Sequence, residues 1–182
     1  MSGPGYVRRT KRVVYENSWL RFEAHEIVHP HGTPGEHGVV VTPAASAVVL
    51  IDGEIVLLVR QPRFALDRVV LEAIKGGRHP GEDALACAQR ESREEAGVVA
   101  ERWFPLGVAY EIPSIVQAPV TLYLGVGLTP APLAPEAVER IEVVRMPFAD
   151  ALEACIGGRI DDAVTALALL RANRVLATLT SA

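Results

Sequence analysis

The sequence predicts an α+β fold, on three observations. Apolar runs of strand length, bounded by turn residues, fill the chain up to Gln61 and return after Gly97. A helical pattern from Glu82 to Ala96 interrupts them. Two further helical patterns close the chain, and no regular strand–helix alternation links these pieces.

Taken in order, Arg12 to Val28 carries Val14, Trp19, Leu20, Phe22 and Ile27 around an Asn17-Ser18 turn, which reads as a hairpin. His29 to His37 is rich in Pro and Gly and reads as a loop, followed by a strand from Gly38 to Thr42. Pro43 marks the boundary between an N-terminal β section, residues 1–42, and a main domain, residues 43–182. Ala45 to Ile51 and Glu54 to Gln61 are apolar runs flanking Asp52-Gly53, a strong hairpin signal. In the helix from Glu82 to Ala96, Ala84, Leu85, Ala88 and Ser92 form a small apolar face, and Gly97 supplies the stop. Trp103 to Tyr110, Val120 to Gly127 and Ile141 to Met146 read as strands. Phe148 to Ile156 and Asp162 to Thr178 read as helices, the last capped by Asp161 with Leu167, Leu170 and Leu176 facing the core.

Composition excludes several classes. With 49% hydrophobic and 22% charged residues the chain folds rather than remaining disordered. A formal charge of −4 excludes a broadly basic face for nucleic acid, although not a local basic pocket. Cys87 and Cys155 lack the spacing of a zinc site or disulfide framework, and no apolar run reaches the ~20 residues of a membrane span. Arg8, Arg9, Lys11 and Arg12 precede no apolar core of signal-peptide type, so the expected location is cytoplasmic. His25, His29, His31 and His37 lack helical ligand spacing and read as loop histidines, while Trp19, Trp103, Phe104 and Tyr110 are assigned mostly to core packing.

Chemistry concentrates between Gly76 and Val98. On a helix, Glu91, Glu94 and Glu95 project to one side near its C-terminal end, where acids oppose the dipole and repel one another. Two carboxylates ~4 Å apart repel by roughly 4 kcal/mol at a surface-like dielectric, so something must compensate. Arg90 can pair with Glu94 at i,i+4. A hard divalent cation, which prefers carboxylate oxygens and phosphates, would cover the rest, and a solvated salt-bridged face is the alternative.

The flanking residues decide between these. The stretch resembles the Nudix box, Gly-x5-Glu-x7-Arg-Glu-U-x-Glu-Glu-x-Gly-U with U a bulky aliphatic residue: Gly76, Glu82, Arg90, Glu91, Glu94, Glu95, Gly97 and Val98 fall in register, and only Ser92 departs. The resemblance implies a mixed sheet sandwiched between helices, preceded by the N-terminal strands, and a magnesium-dependent pyrophosphohydrolase in which manganese can substitute. It implies Glu91 and Glu95 as main metal ligands, Glu94 and Glu82 as supporting ones, the Lys75 carbonyl completing the site, and Arg90 orienting the glutamates. Water attacks phosphorus in this chemistry while metal neutralises the developing charge.

Further residues are similar to the ADP-ribose pyrophosphatase branch: Gln61-Pro62-Arg63, Glu72 before the box, Pro113 past it, and Gly158-Arg-Ile-Asp-Asp-Ala163. That branch usually has Gly where Ser114 stands and Pro-Ala where Ile74-Lys75 stand. Lys75 thus adds a cation beside the site, either toward phosphate or toward solvent. Arg60, Arg63 and Arg78 are candidates for the acidic substrate, since guanidinium binds phosphate bidentately. Glu72 is a candidate for supporting water or ribose, with a strand-end salt bridge as the alternative. Glu139, with Glu136 competing, is the candidate catalytic glutamate of the acidic loop Pro135 to Glu142. The resemblance implies a small-molecule nucleotide substrate, ADP-ribose or a similar nucleoside diphosphate sugar, and a homodimer built on the N-terminal strands. Cleavage of another nucleoside diphosphate derivative or a dinucleotide is the enzymatic alternative, and a non-catalytic nucleotide-binding module is the rival outside enzymology.

Overall fold

The computed structural model describes residues 5–133 and 140–179. They form eleven strands and three α-helices: β1 (Val7–Glu16), β2 (Arg21–Val28), β3 (Pro34–Val41), β4 (Ala45–Asp52), β5 (Ile55–Arg63), β6 (Arg68–Glu72), β7 (Ile74–Gly77), α1 (Ala84–Glu95), β8 (Val98–Tyr110), β9 (Val116–Gln117), β10 (Pro119–Pro130), β11 (Glu142–Pro147), α2 (Phe148–Ile156) and α3 (Ala163–Leu179). The α+β expectation holds.

Two compact units result, residues 1–44 with 110–119 and residues 45–109 with 120–182. In the first, a four-stranded sheet runs β1-β2-β3-β9. Its hairpin turns at Asn17, whose side chain accepts from the Trp19 and Leu20 amides at 2.8 and 2.9 Å. The stretch expected as a loop is mostly strand. Only residues 29–33 turn, closed by His29 N–H to Thr33 O at 2.8 Å, and Pro34 already pairs with Val28. His25 and His37 are accordingly strand residues facing each other across β2 and β3, not loop residues. His25 is buried, 2.9 Å from the buried Glu23 carboxylate. Lys11 and Arg21 bond the same carboxylate, and the Lys11 bond in particular lowers the Glu23 pKa to about 2 against the opposing effect of burial. Trp19 and Tyr110, expected in a core, are exposed.

The second unit is built on a seven-stranded sheet, β11-β5-β4-β10-β8, with β6 added to β5 and β7 to β4. β4 and β10 run parallel, and β4 is apolar at nearly every position because both its faces are covered. Ala47, Val49 and Ile51 join a core with Ala151 and Ala154 of α2 and Val164, Ala168 and Leu169 of α3. Val48 and Leu50 join Leu57, Val59, Ile74 and Ala88 of α1 on the other face. Helices therefore lie on both faces of the sheet.

Several boundaries differ from expectation. β6 and β7 lie where no strand is expected, since Arg68–Glu72 is short and Ile74–Gly77 ends in two glycines. β8 begins at Val98, directly after the helix-ending Gly97 (φ +68°). The cap of α3 is Asp162, whose carboxylate accepts from the Thr165 amide at 2.8 Å, while Asp161 pairs with Arg68. On α3 the buried stripe is Val164, Thr165, Ala168, Leu169 and Ala172. Leu167 and Leu176 pack against its margin, but Leu170 is exposed, one position off the stripe. Among the described residues, no helix is long and apolar enough to cross a membrane.

Candidate active site

α1 is delivered to the sheet by a short, chemically defined loop. Glu82 N–H bonds His79 O at 3.0 Å across Pro80 and Gly81, and Gly81 has φ +81°. Proline followed by a positive-φ glycine is the pattern of a type II turn. Asp83 then caps the helix, its carboxylate accepting from the Leu85 and Ala86 amides at 2.9 and 2.8 Å. The buried face comprises Cys87, Ala88, Glu91, Ser92 and Glu95, so two of its members are acids. Ser92, at the position that a bulky aliphatic residue usually takes, is fully buried and returns its hydroxyl to Ala88 O at 2.7 Å.

Arg90 organises the acids. It donates to Glu82 through Nε (2.9 Å) and Nη2 (3.0 Å), to Glu91 (2.6 Å) and Glu94 (2.8 Å) through Nη1, and to Gly77 O at 2.9 Å. The i,i+4 pairing with Glu94 is thus one part of a larger array. Glu82 draws the Arg90 pKa upward, with Glu91 and Glu94 adding to it and desolvation opposing. Reciprocally, the guanidinium lowers the Glu82 pKa to about 2, helped by the His79 amide at 2.9 Å. Glu91 lies directly on the β7 backbone, and a Cβ built at Gly76 would fall inside its carboxylate. Glycine at position 76 therefore opens the cradle in which this acid sits.

A second array lies where β6 meets β7. Glu72 is buried and holds Arg63 bidentately, at 2.9 Å to Nε and 2.5 Å to Nη2, and Lys75 Nζ at 3.1 Å. This is the salt-bridge alternative weighed for Glu72, with two cations instead of one. The Arg63 pKa rises, chiefly through its bonds to Glu72. Lys75 does not face solvent: its ammonium also meets Asp162 at 2.8 Å, with 16% side-chain exposure, and its backbone N–H reaches Glu95 Oε2 at 3.3 Å. Burial would raise the Asp162 pKa, but the charge and bond of Lys75 and the bonds of Thr165 outweigh it and lower it.

The structure brings Glu82, Arg90, Glu91 and Glu94 into one array and Arg63, Glu72 and Lys75 into another, with Glu95 bonded to the Lys75 amide. Arg60 stands apart in an exposed pair with Glu142 at 3.3 Å. Arg78 turns to Thr121 Oγ1 at 2.5 Å, and its Nε is buried with no partner among the described residues. Pro113 belongs to the N-terminal unit, where it lines a cavity of about 390 Å³ with His37, Tyr110 and Gln117. Glu139 and Glu136 lie outside the described residues. Asp162 and Thr165 were not among the expected site residues; the Gly158–Ala163 pattern was their one signal, and it does not say what Asp162 contacts.

Among the described residues no three acidic, imidazole or thiol groups converge as a ready-made ligand set. The residue types nonetheless suit a hard divalent cation: Glu82, Glu91 and Glu94 gather on the single guanidinium of Arg90, Glu95 lies on the same buried helix face as Glu91, and the Glu91 carboxylate occupies the space beside Gly76.

Comparison with known proteins places the fold and the family. An ADP-ribose pyrophosphatase of Bacillus subtilis (strain 168) is 26% identical over 162 residues, covering 87% of this chain and 88% of that protein. A CMP-5'-(N-acetyl-N-hydroxy-3-aminopropyl)phosphonate hydrolase of Streptomyces rubellomurinus (strain ATCC 31215) is 28% identical over 166 residues, covering 91% and 81%. The crystal structure of an ADP compounds hydrolase superposes with a TM-score of 0.87 over 98% of both chains; at 21% identity it speaks for the fold. Residues 41–167, well over half of the sequence and spanning both arrays, match the NUDIX domain, and the chain belongs to the Nudix hydrolase family.

Proposed function

We propose that this protein is a magnesium-dependent hydrolase that cleaves the pyrophosphate bond of ADP-ribose or a related nucleoside diphosphate sugar, releasing a nucleoside monophosphate and a sugar phosphate. The observation that carries this reading is the crowding of Glu82, Glu91 and Glu94 around Arg90, with Glu91 pressed into the space that Gly76 leaves open. Glu91 and Glu95 would hold the cation, with Glu94, Glu82 and the Lys75 carbonyl in support, and manganese can replace magnesium. When bound, the cation offsets charge on the phosphates and lowers the pKa of the attacking water. Arg90 keeps the acids within reach of one another, a task that its two-sided fork suits better than an ammonium would.

For the substrate, Arg63 of β5 and Glu72 of β6 form a preset ion pair, and the exposed Arg60 and the part-buried Arg78 supply further positive charge. Pro113 shapes the cavity wall in the N-terminal unit. Glu139, or Glu136, is the proposed catalytic glutamate from outside the box. The N-terminal β section, residues 1–42, is proposed to mediate homodimerisation, and the exposed Tyr6, Val7, Val13, Val14, Tyr15 and Trp19 offer the apolar surface. The residue 43–182 portion then carries the hydrolase, acting on a soluble nucleotide in the cytoplasm.

A second reading, a cytidine nucleotide joined to a phosphonate, is favoured by the name and 28% identity of the Streptomyces relative. One experiment separates these readings: release of AMP from ADP-ribose, and of nucleoside monophosphates from a panel of nucleoside diphosphate sugars and CMP-phosphonates, with magnesium or with EDTA, for the parent and Glu95→Gln. Magnesium-dependent AMP release that Glu95→Gln abolishes supports the first. Binding of these nucleotides without turnover of any would instead mark a binding module.

A further inference from the structure

The start of α3 grips the stretch of backbone that leads into the box. Asp162 Oδ1 accepts from the Thr165 amide (2.8 Å) and hydroxyl (2.5 Å), which is ordinary capping. Its other oxygen, Oδ2, does something a cap does not need: it takes the ammonium of Lys75, 87 positions away, at 2.8 Å. Thr165 Oγ1 in turn accepts the Ala73 amide at 2.8 Å, and both of those residues are fully buried. The two grips thus fall two residues apart on one short segment. The amide of Lys75, inside that segment, is the donor that meets Glu95 Oε2 at 3.3 Å.

We propose that Asp162 is a positioning residue for the box glutamates: by holding the Lys75 ammonium and, through Thr165, the Ala73 amide, it fixes the backbone N–H that orients Glu95. The proposal rests on the reading that Glu91 and Glu95 bind a divalent cation. A 3.3 Å hydrogen bond is already long, so a small displacement of residues 73–75 loosens it. Lysine is among the side chains richest in rotamers, and here Glu72 and Asp162 together confine its ammonium, with side-chain exposure of only 16%. Among the described residues, the neighbouring Asp161 pairs with the exposed Arg68, and it provides a control.

Binding of Mn2+ alone, followed by electron paramagnetic resonance, tests this without any turnover. Asp162→Ser keeps a capping oxygen, which retains the start of α3, but loses the carboxylate that holds the Lys75 ammonium. It should bind Mn2+ about tenfold more weakly, the size of effect seen when an outer partner of a metal ligand is removed. Lys75→Met should show a similar loss. The double variant should be no weaker than the worse single one, because both break the same link. Asp161→Asn should match the parent. A merely structural Asp162 would lower the melting temperature and leave Mn2+ affinity unchanged, and that result, or strictly additive losses, overturns the proposal while the metal reading stands. A parent that takes up no Mn2+ overturns both.

Discussion

Replacing Gly76 by alanine asks whether the glycine at the head of the box is there for its backbone or for the room that it leaves. Its φ is not in the left-handed region, so the backbone itself admits any residue. What forbids a Cβ is Glu91: the farther carboxylate oxygen would lie 2.5 Å from the new carbon, and the rest of the carboxylate nearer still. Relief requires the carboxylate to move by about 1.5 Å, since its nearest atom must retreat to the ~3.5 Å at which carbon and oxygen sit in contact. Glu91 is only 7% exposed and is held by Arg90 at 2.6 Å, so it cannot swing out freely. Forcing one methyl into a packed site costs about 1–3 kcal/mol. In a chain of 182 residues that is ~2–4 °C in melting temperature for each kcal/mol. In a Glu91→Ala background the obstacle is gone, and Gly76→Ala should be neutral or stabilising by up to ~1 kcal/mol, as the unfolded chain loses freedom. Thermal melts of the parent, both single variants and the double variant, all in EDTA, give the coupling energy. It should exceed about 1 kcal/mol. Additive effects would refute the reasoning, because Gly76 would then be required for something other than Glu91.

Two further expectations concern charge. Arg90→Met should lower the stability of the metal-free protein by about 3–5 kcal/mol, since removing one partner of a largely buried ionic array leaves the others uncompensated. Arg90→Lys should recover only part of that, because one ammonium cannot span Glu82 and Glu94 together; equal melting temperatures of all three proteins in EDTA would sink this account. At low pH the N-terminal unit should respond through Glu23. Its pKa falls from 4.5 in the unfolded chain to about 2 in the fold, through Lys11 above all, with Arg21 and His25 helping against burial. The carboxylate binds protons more weakly when folded, so its contribution is complete above pH 4.5 and disappears as pH drops toward 2. Glu23→Gln should flatten that part of a stability–pH curve, and an unchanged acid limb would show that the cluster does not act this way.

How much of this was legible in the sequence depended on whether a feature is local. The box helix, its Gly97 stop and the α2 span follow from spacing and turn chemistry within a dozen residues, and there expectation and structure agree closely. The misses have a common physical form. Asp161 and Asp162 are equally good caps by type, and what separates them is Arg68 on one side and Lys75 on the other, both distant in sequence. Leu170 differs from Leu169 by one step of a helix, a 100° turn that hydrophobicity alone cannot place. β6 is only five residues long, and β7 carries a weak strand pattern because Gly76 is where Glu91 of α1 comes close to the backbone, not a residue of high strand propensity.

The same distinction explains why the two arrays read so differently beforehand. Arg90, Glu91 and Glu94 share one helix face, so their meeting is a matter of period, and a like-charged cluster on a helix announces its own need for compensation. Arg63, Glu72, Lys75 and Asp162 come from β5, the β6–β7 junction and the start of α3. Each alone resembles an ordinary surface charge, and the β5–β6 register sets Val59 opposite Glu72 and Arg63 opposite Arg68, so the long Arg63 side chain reaches back along the hairpin to form the first pair. Lys75 then joins because β7 runs antiparallel to β4, with Lys75 opposite Ala47, and its ammonium meets Asp162 just before α3. A cation in place of the small residue usual before the box would be an unpaired charge in most settings. Here Glu72 and Asp162 both accept it, so a departure that looks like a change of substrate chemistry is answered inside the fold, by residues that hold the backbone next to Glu95.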